Sequence, residues 1–230
     1  MKLTLSLIIF LLGSFIYAQT VNYELSMPKP QNHYYHIKME LNDFNQKELN
    51  ISLPVWAPGS YLVREFSKNI NLVKAFDEKG NPLEIKKTRK NSWSIKKGNK
   101  QNVVIKYEVY AFELSVRTSF LDLTHGFVSG SGVFMFVEDY LDISGSLKVI
   151  PYEGFTKVST ALPKAKEKFT YNYSDYDQLV DCPIEIGNQI VFEFNAAGVK
   201  HTLAIYGDGN YVIEDLRNDM TKIIEEETKV

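Results

Sequence analysis

The sequence predicts a mainly β, antiparallel sandwich-like or saddle-like domain that ends in an α-helix. Three observations carry this expectation. Tyr, Phe and Trp make up 13% of the 230 residues, with 14 Tyr and 14 Phe, and these side chains favour strands. Apolar residues alternate with polar ones at period two through most of the chain. The period switches to a helical one only after residue 210.

The elements follow in chain order. Lys2 precedes an apolar run over residues 3–16 and then Tyr17-Ala18-Gln19. A basic start, a short apolar stretch and a small residue at the cut read as a secretory signal peptide over residues 1–18. The run is too short to span a bilayer, which needs about 20 apolar residues. Export is therefore expected, periplasmic or extracellular, with cleavage after Ala18 and no membrane attachment afterwards. Tyr35, Ile37, Met39 and Leu41 share one strand face, and Leu49, Ile51 and Leu53 repeat the pattern. So do Val103, Ile105, Tyr107 and Val109. Further strands are expected at residues 69–75, 93–95, 145–150, 156–161, 190–195 and 200–206. The clusters at residues 77–82 and 97–99, rich in Gly, Asn and Pro, are the turns between them. Many short strands with frequent turns point to antiparallel sheets. Ile213, Leu216, Met220, Ile223 and Ile224 then form a helical stripe, with Asn210 as expected N-cap. No stop signal follows, so the chain is expected to be cut short within the helix over residues 210–230, which follows a β-rich unit of residues 19–209.

Composition excludes several functions. Lys plus Arg number 26 against 28 Asp plus Glu, a net charge of −2, which argues against nucleic-acid binding. The single Cys182 excludes a disulfide framework and cysteine-rich metal sites. The four histidines, His33, His36, His125 and His201, are not followed by Glu, so no His-Glu-x-x-His helix exists in this chain. His33 and His36 are expected in one strand on opposite faces, away from any metal. Ser129-Gly130-Ser131-Gly132 does not fit a nucleophile elbow, and a triad of Ser131, His125 and Asp122 rests on sequence proximity alone. No phosphate-binding loop or dinucleotide fingerprint is present. Gly207-Asp208-Gly209-Asn210 lacks the spaced carboxylates of a calcium loop. Lys86, Lys87, Arg89, Lys90, Lys96, Lys97 and Lys100 crowd one expected hairpin, where lysines keep strand edges soluble.

One stretch is more specific. In Trp56-Ala57-Pro58-Gly59-Ser60-Tyr61-Leu62-Val63-Arg64-Glu65-Phe66 a strand ends in a Pro-Gly turn, Pro58 presetting φ and Gly59 supplying a positive one. It resembles the Trp-x-Pro-Gly-Ser-Tyr-x-x-Arg-Glu-Phe signature of the glycyl aminopeptidase family of gluzincin zinc metallopeptidases, which carry a PDZ module. Val116-Arg117-Thr118-Ser119-Phe120-Leu121-Asp122, His125-Gly126-Phe127 and Ser131-Gly132-Val133-Phe134-Met135 agree in order. Leu179-Val180-Asp181-Cys182-Pro183-Ile184-Glu185 is similar to a further family segment, with Cys182 where Ser is usual. The likeness runs from about Val21 to the end and corresponds to the family's amino-terminal β domain.

The resemblance implies a non-catalytic domain of an exported zinc aminopeptidase. Zinc is expected in the catalytic domain, and no metal or catalytic residue in this chain. The expected partners are that catalytic domain and a peptide substrate. In the related clan a domain of this kind walls the substrate cleft, which makes Tyr61, Arg64, His125, Ser129, Gly130 and Ser131 candidate edge residues. The structural alternative packs Trp56, Tyr61 and Phe66 in the core and pairs Arg64 with Glu65. Two other functions stand beside this one: a free-standing secreted β-sandwich that binds glycan or protein through exposed Tyr and Trp, and a small enzyme with an unrecognised Ser or carboxylate site.

Overall fold

A computed structural model describes residues 19–60, 62–115 and 117–230. The signal-peptide reading over residues 1–18, the Tyr61 assignment and Val116 lie outside the described residues. The strands in chain order are β1 (Thr20–Ser26), β2 (Tyr34–Asn42), β3 (Glu48–Ser52), β4 (Ile70–Asp77), β5 (Pro82–Arg89), β6 (Ser92–Lys96), β7 (Val103–Tyr110) and β8 (Phe120–Leu121). They continue as β9 (Gly126–Val128), β10 (Phe136–Val137), β11 (Gly145–Ile150), β12 (Lys157–Ser159), β13 (Thr170–Tyr173), β14 (Ile184–Gly187), β15 (Ile190–Ala196) and β16 (Val199–Ile205). Two helices, α1 (Tyr176–Asp181) and α2 (Ile213–Glu227), complete the set with three short 3-10 turns. With 44% strand and 15% helix, the mainly β expectation holds.

Ten strands form one curled sheet in the order β10-β3-β6-β5-β4-β7-β2-β1-β11-β13, and a four-stranded sheet runs β12-β14-β9-β8. Neighbours pair antiparallel except β1 and β11, which are parallel. The alternation seen in sequence is the cause of the core. In β1, β2 and β7 every second residue is buried, including Tyr23, Leu25, Tyr35, Ile37, Met39, Ile105 and Tyr107. Between the sheets, the buried and irregular stretch 133–135 needs partners for its backbone. Tyrosine hydroxyls supply them: Tyr23 donates to Met135 O, Tyr107 to Val133 O at 2.9 Å and Tyr176 to Phe134 O at 2.6 Å. Burial pushes all three phenols up. The aromatic excess is thus partly a set of hydrogen-bonding core side chains.

Several expectations are corrected. The strand expected at 156–161 is confined to β12, and β1, β8, β9, β10, β13 and β14 form without a strong sequence signal. His33 is not in a strand: it follows a 3-10 turn at φ 62°, with its Nδ1 2.6 Å from Leu121 O. The N-cap of α2 is Val212, not Asn210, and offers no side-chain cap. β15 and β16 form a hairpin through Ala197 and Gly198, both at positive φ, and pair with neither sheet. Helix α2 packs on β15, with Arg217 5.6 Å over the Phe192 ring, yet none of its residues is buried.

The lysine-rich hairpin is β5–β6. Lys96 pairs with Glu84, Lys90 with Glu65 and Arg89 with Glu138, while Lys87 lies over Trp93. Acids across the same surface neutralise the cluster, which fits solubility better than anion binding. Lys97 is buried, and its ammonium donates to Lys100 O.

Candidate functional site

The signature stretch builds a groove. Strand β3 ends at Ser52, and Leu53 still exchanges a backbone bond with the β5–β6 turn, donating to Asn91 O at 2.9 Å. Asn91 Nδ2 returns a bond to Leu53 O at 2.7 Å. The chain then turns through Pro58 and Gly59, whose φ is +72°, and Ser60 N donates to Ala57 O at 3.0 Å. Ala57 is buried, but Trp56 is 52% exposed, so the core position expected for Trp56 is wrong. Phe66 does pack in the core, against Gly132. The expected Arg64–Glu65 pair is also absent. Glu65 pairs with Lys90 at 2.9 Å, and this exposed contact contributes little stability. Arg64 keeps a buried Nε without an acceptor.

Trp56, Pro54, Val55 and Pro58 face Ser131, Phe136, Leu141, Tyr176 and Val180 across a largely apolar groove of about 240 Å³. Its second wall exists because Gly130 lets α1 approach. A Cβ there would stand 2.8 Å from Val180 Cα and 3.2 Å from Leu179 O. The bare backbone of the Ser129–Gly132 stretch is thus occupied by α1. Ser131 is buried and hydrogen-bonds to no imidazole or carboxylate among the described residues, so it is not an activated nucleophile.

His125 belongs to a different locality, between β8 and β9. Asp122 organises that turn, accepting from Thr124 N at 2.7 Å, Thr124 Oγ1 at 2.5 Å and His125 N at 3.2 Å. Burial opposes its charge, but these hydrogen bonds hold the Asp122 carboxyl below its ordinary value. The His125 ring stacks on Tyr206 at 3.5 Å and lies 5.0 Å from Phe120. Burial pushes its pKa down, against the pull of Asp122. The stack continues from Phe120 to Phe112 at 5.3 Å and from Phe112 to His33 at 3.8 Å. Phe112 and Tyr206 remain 50% and 45% exposed, which leaves an aromatic shelf at this end of the fold. The structure therefore joins the signature turn with Ser131 in one groove and places His125 on the aromatic shelf.

Glu185 ends one of the family-like segments, but its residue type alone does not mark it as unusual. Its neighbours Ile184 and Ile186 are core residues, and burial raises the Glu185 carboxyl to about 7. Its sequence signals are that segment and its place between two isoleucines. Cys182 packs against the core, where burial raises its thiol pKa. Among the described residues no three of His, Cys, Asp and Glu gather as metal ligands. None of the described helices is long and apolar enough to cross a membrane.

The comparison with known families decides the assignment. Residues 22–188 match the model of the peptidase M61 N-terminal domain. The chain belongs to the peptidase M61 family. Its M61 N-terminal domain takes in the signature groove, the His125 turn and β14. Among solved structures it is similar to an aminopeptidase N family protein from Idiomarina loihiensis, with 30% identity and a TM-score of 0.85. That match covers 90% of this chain and 36% of the other, so the M61 chain spans about a third of that protein's length. No curated protein matches the chain. The resemblance read from the signature residues is thus borne out at the level of the family and the domain.

Proposed function

We propose that this M61 domain is the non-catalytic amino-terminal part of an exported, zinc-dependent aminopeptidase of the glycyl aminopeptidase type. In this reading residues 1–18 are a signal peptide and residues 19–209 the β domain. Residues 210–230 then lead into a catalytic domain. The observation that carries it is the family match over residues 22–188, joined to a structural relative of which this chain covers 36%. The domain packs on the catalytic unit and walls one side of a peptide cleft. The Trp56 groove with Ser131, Arg64 past the Pro-Gly turn, and the His125 turn are its candidate edges. Zinc belongs to the catalytic unit, where it would activate water for amide hydrolysis. Among the described residues no ligand set fits a zinc site, so none of them would hold that metal.

Reading the gene past Val230 tests the assignment. A continuation into a His-Glu-x-x-His helix is expected, and a stop codon directly after Val230 overturns it. The purified 230-residue chain is expected to release no glycine from Gly-containing peptides; chelator-sensitive release would refute this division of labour. The exposed Trp56, Phe112 and Tyr206 favour a second reading, a binding module with aromatic platforms. Retention of the chain on immobilised glycan, lost in Trp56→Ala, would support it.

A further inference from the structure

The outer face of the ten-stranded sheet carries a cavity of about 350 Å³ that shares no lining residue with the Trp56 groove. Strands β1, β2, β7 and β4 form its floor. Alternation buries Leu25, Ile37, Tyr107 and Ala75 in the core and so turns Glu24, His36, Lys38, Lys106, Glu108 and Lys74 outwards. Register sets their order. Lys106 lies directly across from Lys38 on one side and from Lys74 on the other, three lysines in a row on adjacent strands. Like charges in directly opposed positions destabilise a sheet.

A bulge supplies one wall. Asn71 faces Glu108 and Lys74 faces Lys106, so Leu72 and Val73 together oppose Tyr107 alone. Val73 packs against the core, while Leu72 lines the cavity and is 63% exposed. Its φ is 53°, a left-handed conformation that leucine rarely adopts. Bulges re-aim side chains, and strain of this kind persists where the surrounding structure imposes it.

Most charges around the cavity already have partners. Lys38 pairs with Glu40 at 2.6 Å, and a Glu108 carboxylate oxygen lies 3.6 Å from His36 Nδ1. Glu24 stands cross-strand between Lys38 and Lys148, and Lys148 pairs with Glu167 at 3.1 Å. Lys74 forms no ion pair among the described residues. The Lys106 ammonium lies 5.6 Å from the centre of the Phe76 ring and likewise meets no carboxylate among them. Two exposed, cross-strand ammonium groups therefore line one open space with no acid to neutralise them. The β5–β6 hairpin differs, because acids answer its bases.

A dianion can serve both lysines, whereas a carboxylate brings a single charge. A phosphate monoester carries close to two charges near neutral pH and offers three acceptor oxygens. Lysine meets such a group as a point charge. The cavity is large enough for a small organic molecule, and an apolar substituent would lie against Leu72.

The geometry points to a site for a small phosphate monoester, its phosphate between Lys74 and Lys106 and its organic part against Leu72. The site stands independently of the aminopeptidase reading.

Titration of the chain with butyl phosphate at about pH 7.5 and fixed ionic strength tests this. Backbone amide signals of residues 71–74 and 106 report binding, and butyrate and inorganic phosphate are the reference probes. Butyl phosphate is expected to saturate those signals and to bind more tightly than either reference. Lys74→Met and Lys106→Met should each weaken it about tenfold, the loss of one charge-assisted contact. Both variants relieve like-charge repulsion, so unliganded melting temperatures no lower than the parent's are expected. Leu72→Gly suits the local φ and should erase the preference for butyl phosphate over inorganic phosphate. Lys68→Met, outside the cavity, should bind as the parent does. The proposal is overturned by absent or unsaturable shifts with butyl phosphate, or by equal affinity for butyrate or inorganic phosphate. Undiminished binding in Lys74→Met or Lys106→Met overturns it too, as does an equal loss in Lys68→Met. Probe selectivity in the parent chain decides the matter even where a variant unfolds.

Discussion

Tyr107 spends one oxygen twice, donating to Val133 O at 2.9 Å and accepting from Met135 N at 3.1 Å. Tyr107→Phe leaves both backbone groups buried without that partner, so a loss of about 1–3 kcal/mol is expected in urea unfolding. A loss within error would show that the stretch finds other partners. Glu185 acts in the opposite sense. Its folded pKa, about 7, lies above the ordinary carboxylate value of 4.5, so the folded state holds the extra proton between those values. Stability from this group is therefore full below pH 4.5 and falls as pH rises towards 7. Glu185→Gln should flatten that slope and raise the melting temperature at pH 8 relative to the parent chain. Asp77 has the reverse sign. Hydrogen bonds from Asn81 and Lys100 hold its carboxyl far below 3.8, so its contribution is lost as pH falls beneath that value. The roles of Tyr107 and Glu185 depend on what remote segments place against the side chain, whereas Asp77 is held first by its own turn and then by Lys100.

At the scale of elements, legibility followed the length of the alternating pattern. β2 and β7 were readable because eight or nine residues repeat one period and both faces differ in burial. β8, β9 and β14 are two to four residues long, too short for a period, and owe their form to pairing with each other. α2 was readable as a helix, but its start was not: Val212 precedes it with no capping side chain, so local capping preference had little to act on. Like β5, β12 and β16, α2 has no buried residue and should be weakly protected. Amide exchange across residues 213–227 is expected to be faster than in β2 and β7, and equal protection would contradict this packing. The contact of α1 with the Ser129–Gly132 turn is a close one. Gly130→Ala sets a methyl against Val180 backbone and should cost about 1–3 kcal/mol in thermal or urea unfolding.

Over the whole molecule, the groove draws its walls from residues 53–58, 131–141 and 176–180, which only the folded sheets bring together. The signature turn could be read from Pro58 and Gly59, because a preset φ and a positive φ are local demands. The amino-terminal domain assignment was readable from the same residues. Whether Trp56 faces solvent was not readable, since burial depends on what packs above the turn. Replacing Trp56 by Ala is expected to leave the melting temperature within a few degrees of the parent, roughly the response to losing a half-exposed side chain. A larger fall would show that the ring supports the fold.

By itself, the sequence determined the β class, the Pro-Gly turn, the final helix and the family, because alternation, turn chemistry and a contiguous signature are properties of neighbouring residues. Tertiary structure alone decided that His125 and Ser131 part company, that Arg64 and Glu65 do not pair, and that Glu185 and Gln189 each bury an oxygen without a donor. Those outcomes depend on distances between segments far apart in the chain, and no local period encodes them.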